Sequence, residues 1–494
     1  MQTENQNLEL ENCLALLDQL CEQPELCLSP DSPYAEFVTK ISLLQRRLKA
    51  TRKKENRLRD HELAENTGIR KMRTEKEHGT YLNQDHSTQA TDVRSEELDR
   101  PRKCYICKQS FGHLHHFYDS LCPECAQVNW DKRNQTADLQ GRTALVTGGR
   151  IKIGFQIALK LLRAGANVVV TSRFPRDTAK RYQRESDFAD WHDRLKIYSA
   201  DFRFLPAVAE MAQQIQSNHD LNILINNAAQ TVRRPPEYYE HLLTSELQLE
   251  NQLPATALKM IESAAKVDPP VATTSQSGIT TVLTTNKGPI VPNAPLHIAP
   301  LMSQLRLVES DGRHGQELFP TGQLDYDGQQ IDKRPVNSWV MDLGDVSFAE
   351  LLEVHAVNSL AGYTLIKHLL PTLSSDSHDD RYIVNVSAVE GQFDASKTGF
   401  HPHTNMAKAG MNMVTKTCGQ RFAQRGIYIT SVDTGWVTNE FPFQKTQQMR
   451  TAGFEPPLDE IDGAARVLAP VFEGVADGKR LQGVFLKDYQ VANW

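Results

Sequence analysis

The chain has 494 residues, 39% hydrophobic and 23% charged, with a formal net charge of -6 at pH 7. That length allows two or three domains, and the composition is ordinary for a globular protein. The charge excludes a global pull toward nucleic acid or anionic membrane.

No run approaches the roughly 18 apolar residues of a membrane span. The start, Met1-Gln2-Thr3-Glu4-Asn5, is polar and acidic and does not read as a secretory signal. Of eight cysteines, four stand in two CxxC pairs and the rest are scattered. That pattern points to a reducing compartment, the cytoplasm, and to a metal site in place of a disulfide framework.

Residues 1–100 read as a helical and linker region. Cys13–Leu20 and Ala35–Leu48 carry apolar residues at helical spacing, separated by Pro24, Pro30 and Pro33. Basic residues outnumber acids about two to one from Arg46 to Lys76. The charges are mixed and aromatics are absent, so a solvated helix is expected there and a nucleic-acid partner is not. Residues 78–100 read as a flexible linker.

Residues 101–134 read as a zinc-binding module. Cys104-Tyr-Ile-Cys107 and Cys122-Pro-Glu-Cys125 form two knuckles with fourteen residues between them. Each knuckle aims two thiolates at one ion, and two knuckles close a tetrahedron, which suits structural zinc. His113, His115 and His116 lie between the knuckles. Four thiolates already saturate the ion, so these histidines are expected to serve packing or the surface.

Residues 135–494 alternate strand-like runs with amphipathic helices. Strands are expected at Thr143–Thr147, Asn167–Ser172, Leu195–Ser199, Asn222–Asn226, Tyr382–Ser387, Ile427–Val432 and Gly483–Leu486, with helices at Ile153–Ala164, Leu205–Ser217, Phe348–Leu373 and Asn405–Arg425. Nearly continuous apolar strands in βαβα alternation predict an α/β fold with a doubly wound parallel sheet of the Rossmann type. Residues 231–345 interrupt this alternation after the fourth strand. They include the Pro-, Thr- and Ser-rich stretch Asp268–Pro300. The insertion leaves at the ligand-binding end of the sheet, so it reads either as a lid or as a surface excursion or partner platform.

The first strand runs into Thr147-Gly148-Gly149-Arg150-Ile151-Lys152-Ile153-Gly154 and then a helix. Glycines let the backbone approach a pyrophosphate, and the helix N-terminus supplies free N–H groups. Further motifs follow in order: Asp201 after the third strand; Asn226-Asn227-Ala228-Ala229 after the fourth; Asn358 within the long helix; Ser387; Lys408; and Asp433-Thr434-Gly435-Trp436-Val437-Thr438. This ordered set resembles the short-chain dehydrogenase/reductase family. The resemblance implies an oxidoreductase acting on a small molecule. Asp201 would lie near the adenine, Asn358 would serve a proton relay, Ser387 would hydrogen-bond the substrate, and Lys408 would bind the nicotinamide ribose. Coenzyme contacts would come from Thr147, Gly148, Arg150, Ile153, Gly154, Asp201, Asn227, Ala228, Gly435 and Thr438. It also implies a homo-oligomer built on the Phe348 and Asn405 helices.

Arg173 follows the second strand directly, where an acid would repel a 2′-phosphate and an arginine accepts one. NADP(H) is therefore expected over NAD(H). Lys152 stands in place of the family's middle glycine and adds a positive charge, although solvation at the mouth of the turn would also explain it. The family's acid/base tyrosine is replaced by Thr404, whose hydroxyl is far too weak an acid to take that role. His403, His401, or a tyrosine of the insertion such as Tyr238 or Tyr239 is a substitute donor; packing or capping at the helix start is the other reading of His403. Two functions remain open: an NADP(H)-dependent reductase or dehydrogenase acting on a carbonyl, enone or imine, and a non-catalytic NADP(H)-binding protein that contacts a partner through its N-terminal region.

Overall fold

The computed structural model describes residues 2–29, 31–77, 97–247, 254–262, 284–285, 288–289, 299–312, 315–374 and 378–494. The chain opens with helices Gln2–Glu22, Ala35–Glu65 and Gly68–Glu77. Residues 78–96 of the expected linker lie outside the described residues. Its end is a strand, however: β1 (Glu97–Lys103) pairs antiparallel with β2 (Ser110–His113). The Asp60 carboxylate fixes this start by accepting the N–H groups of Asp99 and Arg100 at 2.8 and 3.1 Å. A helix, Pro123–Asn134, follows the second cysteine pair.

The rest is a doubly wound sheet. β3 (Thr143–Val146), β4 (Asn167–Ser172), β5 (Leu195–Ser199) and β6 (Ile223–Asn226) are followed by β7 (Ile261–Glu262). The short pair β8 (Thr284–Thr285) and β9 (Gly288–Pro289) comes next, then β10 (Arg381–Ser387), β11 (Ile427–Asp433), β12 (Val484–Lys487) and β13 (Gln490–Ala492). Among the described residues the large sheet runs β13-β12-β11-β10-β6-β3-β4-β5-β7. All its pairs are parallel except β12 with β13. The strand order reverses between β3 and β6, which sets the ligand crevice beyond their carboxyl ends.

The strands read as unbroken apolar runs because both faces are covered. Ala144 and Val146 of β3 pack toward helices Lys152–Arg163 and Glu460–Asp477, while Leu145 packs toward Leu205–Asn218 and Ala361–Leu369. Glu460–Asp477 is buried nearly all round. Asp459 and Asp462 form its capping box, and it ends on Gly478 at φ +70°.

Two expectations need correction. Phe348–Leu373 is not one regular helix: helix Phe348–His355 passes into a π-turn, Ala356–Leu360, before Ala361–Leu369. Asn358 sits in that turn, and its amide is tied to the Gln230 backbone. π-Bulges of this kind concentrate at functional sites. The Asn405 helix starts earlier, at Pro402, whose fixed φ suits a first helical position. Of Asp268–Pro300, only β8, β9 and the start of helix Ala299–Met302 fall among the described residues.

A third apolar cluster spans what the sequence suggested were separate regions. Ile69 and Met72 of the N-terminal helices meet Leu114, Phe117, Tyr118 and Leu121 of the cysteine module and Val437 and Leu458 of the sheet domain. Ion pairs seal the same seam. Arg133 lies 2.7 Å from Asp459 and 2.8 Å from Asp462, all three buried.

Candidate functional site

The glycine turn is built by close approaches that side chains forbid. A Cβ on Gly154 would stand 2.2 Å from the Gly148 carbonyl oxygen and 2.5 Å from Asn227 Nδ2. Gly148 has φ +71°, and a Cβ there would meet Ala228 at 3.0 Å. Thr147 ties this turn to the loop after β6. Its hydroxyl accepts the N–H of Asn227 at 2.8 Å and of Ala228 at 2.9 Å, and Asn227 Nδ2 donates to the Thr147 carbonyl at 2.9 Å. Lys152 adopts φ +53°, the left-handed conformation in which a glycine would be unstrained.

Beside the turn lies a cavity of about 760 Å³, within the ~300–1,000 Å³ span of small-molecule and cofactor sites. Gly148, Arg150, Ile153, Gly154, Arg173, Asp201, Asn227, Ala228 and Thr438 line it. Arg173 leaves the carboxyl end of β4, lies 4.5 Å over the Tyr239 ring and donates to its hydroxyl at 2.8 Å. Tyr239 thus reaches in from the insertion, on the Arg173 side.

The charges expected to face a coenzyme have different degrees of freedom. Arg150 is buried and engaged: it donates to Asp177 at 2.8 Å and to Gln329 at 2.5 Å. Asp201 is held by Arg203, which donates to both of its carboxylate oxygens at 2.6–3.1 Å. Burial pushes the Asp201 carboxyl up, but Arg203 outweighs it and keeps the group below the usual carboxylate range. Lys152 faces Glu440 at 3.8 Å. Burial opposes its charge, but Glu440 and Asp327 outweigh that and raise its pKa.

The sequence did not single out several other residues of the wall. Leu324–Asp332 of the insertion line the cavity, as do Met72, Arg73 and Lys76 of the N-terminal helices. Lys76 pairs with Glu460 at 3.0 Å, and Tyr326 donates to the same carboxylate at 3.0 Å. These residues come from segments far apart in the chain, so no local pattern marks them.

The residues matched to the family's proton-transfer machinery gather at the ends of β10 and the 402–423 helix. Asn358 Oδ1 accepts the Gln230 N–H at 2.6 Å, and Nδ2 returns a bond to the Gln230 carbonyl at 3.2 Å. Lys408 Nζ donates to the Val386 carbonyl at 2.8 Å. Burial lowers its pKa to about 8, against the opposing carboxylates of Glu390 and Asp433. A Cβ on Gly391 would lie 3.0 Å from Ser387 Oγ and 3.1 Å from the Lys408 carbonyl carbon, so these two residues share one neighbourhood. Ser387 and Thr404 are 2% and 3% exposed, and neither hydroxyl has a hydrogen-bond partner.

Neither hydroxyl lines the large cavity. His403 is buried with Nε2 3.5 Å from Glu350 Oε1, on the side of helix Phe348–His355. His401 adopts φ +43°, stacks on Trp339 at 4.0 Å and engages the Trp339 carbonyl at 2.8 Å through Nδ1. Its role is to dock the helix start against the insertion's return.

The cysteines converge. The four sulfurs of Cys104, Cys107, Cys122 and Cys125 all lie within 4.8 Å of one another. Cys107 and Cys122 Sγ are 3.7 Å apart, matching the ~3.8 Å edge of a tetrahedron with metal–sulfur bonds of about 2.3 Å. Lys108 at φ +63° turns the first knuckle, and Pro123 starts a helix just after Cys122. Burial raises the Cys104 thiol, but backbone N–H groups of Cys122, Cys107 and Ile106 outweigh it and bring it down to about 7. The donor set fits a closed tetrahedral ion with no position left for substrate.

A family profile described as short chain dehydrogenase matches residues 142–247. An uncharacterized protein of Acanthamoeba polyphaga mimivirus is 30% identical over 385 residues, covering 75% of this chain and 71% of the viral one. A fatty acyl-CoA reductase of Acinetobacter baylyi is 30% identical over 98 residues, 20% of this chain and 32% of that enzyme. Among solved structures, the Pseudomonas aeruginosa RhlG/NADP active-site complex covers 71% of this chain and 95% of its own at 16% identity, with a TM-score of 0.40. The chain belongs to the short-chain dehydrogenase/reductase family, a family of oxidoreductases. No helix among the described residues is long and apolar enough to cross a membrane.

Proposed function

We propose that the chain is an NADP(H)-dependent oxidoreductase that moves hydride to or from a small carbonyl, enone or imine. The observation that carries this reading is Arg173. It lines the cavity at the end of β4, beside the glycine turn, while Asp201 is neutralised by Arg203. A guanidinium there receives a 2′-phosphate, and the carboxylate that would repel it is already paired.

The bound coenzyme supplies the hydride chemistry. The chain's part is to bind, orient and exclude water. Gly148 and Gly154 open the cradle, Thr147 and Asn227 hold its shape, and Thr438 lines the cavity on a loop that Gly435 turns against Arg466 and Leu458. Lys408 offers an ammonium to the ribose and Asn358 holds the helix turn for a relay. Ser387 carries a buried hydroxyl with no competing partner, which would reach the reacting oxygen only if the site opens toward it. At the acid/base position stand Thr404, which is too weak an acid, and His403, which faces Glu350. An enone or imine, which needs less proton donation than a simple ketone, therefore suits this site best.

The same position favours a second reading. Thr404 and Ser387 are buried and do not line the cavity, which suits a protein that binds NADP(H) to regulate association without turnover. Zinc in the cysteine cluster would be structural, and eight free cysteines fit the cytoplasm. Apolar side chains on the expected oligomer helices stand in solvent, with Phe348 76% and Tyr363 55% exposed, which supports a homo-oligomer on that face. The test compares NADPH and NADH binding in the wild type and Arg173→Ala, followed by NADPH oxidation against a panel of enones, imines and ketones. Loss of the NADPH preference in the variant, with turnover of some member, supports the enzyme. Tight NADPH binding with no turnover across the panel supports the second reading, and equal affinities in wild type and variant overturn the role of Arg173.

A further inference from the structure

We propose that the cysteine knuckle clamps one wall of the coenzyme cavity, with Tyr105 as the positioning residue and metal occupancy at Cys104, Cys107, Cys122 and Cys125 as its control. The proposal rests on the coenzyme reading above and adds what holds the site in shape.

Tyr105 lies inside the first knuckle, between Cys104 and Cys107. Its own N–H donates to the Ser120 carbonyl at 2.9 Å, and Cys104 N–H donates to Gln109 at 2.8 Å, so the knuckle's backbone is fixed on both sides. The phenol leaves the module altogether. Its oxygen accepts the backbone N–H of Trp436 at 2.9 Å, across a separation of 331 residues. Trp436 belongs to the loop after β11, and the next residues, Val437 and Thr438, line the cavity. The Trp436 carbonyl in turn accepts the Leu458 N–H at 3.3 Å.

Packing repeats the connection. Val437 and Leu458 are buried in the same cluster as Cys104, Cys122, Phe117 and Leu121, and Ile153 of the glycine turn packs against that cluster too. One wall of the cavity, where Ile153 of the glycine turn and Val437 of the loop lie side by side, thus rests on the knuckle. Arg466 backs the loop from beneath: a Cβ on Gly435 would meet its Nη1 at 2.3 Å. A small metal module owes its fold to the ion. Loss of metal therefore releases Tyr105 and, through it, the Trp436–Thr438 wall, a segment distant in sequence from all four cysteines of the knuckle.

Tyr105→Phe removes the acceptor while keeping the ring and all four cysteines, and so separates the clamp from the stability of the module. Zinc-loaded wild type, zinc-loaded Tyr105→Phe and chelator-treated wild type are compared by metal content, by hydrogen exchange at the Trp436 amide and by NADPH titration. The expected result is full zinc content in Tyr105→Phe, with faster exchange at Trp436 and NADPH binding weakened about three- to tenfold, the usual effect of losing one hydrogen bond. Stripped wild type is expected to show both effects more strongly. Unchanged exchange in Tyr105→Phe, or faster exchange with unchanged NADPH affinity, overturns the proposal. If zinc-loaded wild type binds no NADPH, the coenzyme reading fails. The clamp on the loop is then judged by exchange alone, where no change on stripping or in Tyr105→Phe rejects it.

Discussion

Lys152 shows how a single position serves two demands. Its φ of +53° is the backbone a glycine adopts without strain, yet the chain keeps a long cation that faces Glu440 at 3.8 Å. Lys152→Gly should therefore be more stable than Lys152→Ala by about 1 kcal/mol, since both lose the charge and only alanine keeps the strain; urea unfolding of the two variants checks this. Lys408 makes a second prediction. Burial lowers its pKa to about 8, so the ammonium is present below that pH and lost above it. Coenzyme affinity should fall as pH rises through about 8 and be flat in Lys408→Met over the same range, measured by titration from pH 6.5 to 9.5 on the scale of ordinary lysine behaviour. A wild-type affinity that rises across that range contradicts the assignment.

At the scale of elements, legibility followed burial. β3, β4, β5, β10 and β11 were readable because they are covered on both faces and so apolar throughout. Helix Glu460–Asp477 was not seen, for the same reason inverted: an element buried all round shows no stripe, and Pro470 sits inside it. Its capping box, Asp459 with Asp462, was the available signal. The cysteine spacing points to the knuckle but not to its docking, and the motif order points to Ser387, Asn358 and Lys408 as candidates but not to the absence of Ser387 and Thr404 from the cavity lining. Leu324–Asp332 could not be placed from sequence, because its contacts to Arg150 and Glu460 join segments more than 130 residues apart.

The Phe348 and Pro402 helices carry an element-scale prediction of their own. Leu352 and Met413 are 59% and 58% exposed, an apolar face that association would cover. Leu352→Glu with Met413→Glu should shift the protein toward monomer in sedimentation velocity. An unchanged sedimentation coefficient removes this face as the contact.

Across the whole molecule, the N-terminal helices, the cysteine module and the sheet domain share one apolar cluster, and a buried ion network joins the cysteine module to the sheet domain. Arg133 lies at the centre, with Asp459 and Asp462 against its guanidinium and the Tyr118 hydroxyl donating to Asp462 at 2.6 Å. Arg133→Met leaves two buried carboxylates uncompensated and should cost about 3–5 kcal/mol, read as a lowered urea midpoint. The cysteine module should unfold together with the sheet domain in the wild type. An early, separate transition of that module would contradict the shared core.

The central claim is that a pyridine dinucleotide occupies the cavity beside the glycine turn. The direct measurement is calorimetric titration of the purified full chain with NADPH and NADH, repeated on Gly154→Ala, whose added Cβ would collide with the Gly148 carbonyl. The account predicts saturable binding, tighter for NADPH, and its loss in a Gly154→Ala protein that remains folded by circular dichroism. No heat from either coenzyme with folded wild type, or undiminished binding in Gly154→Ala, contradicts it.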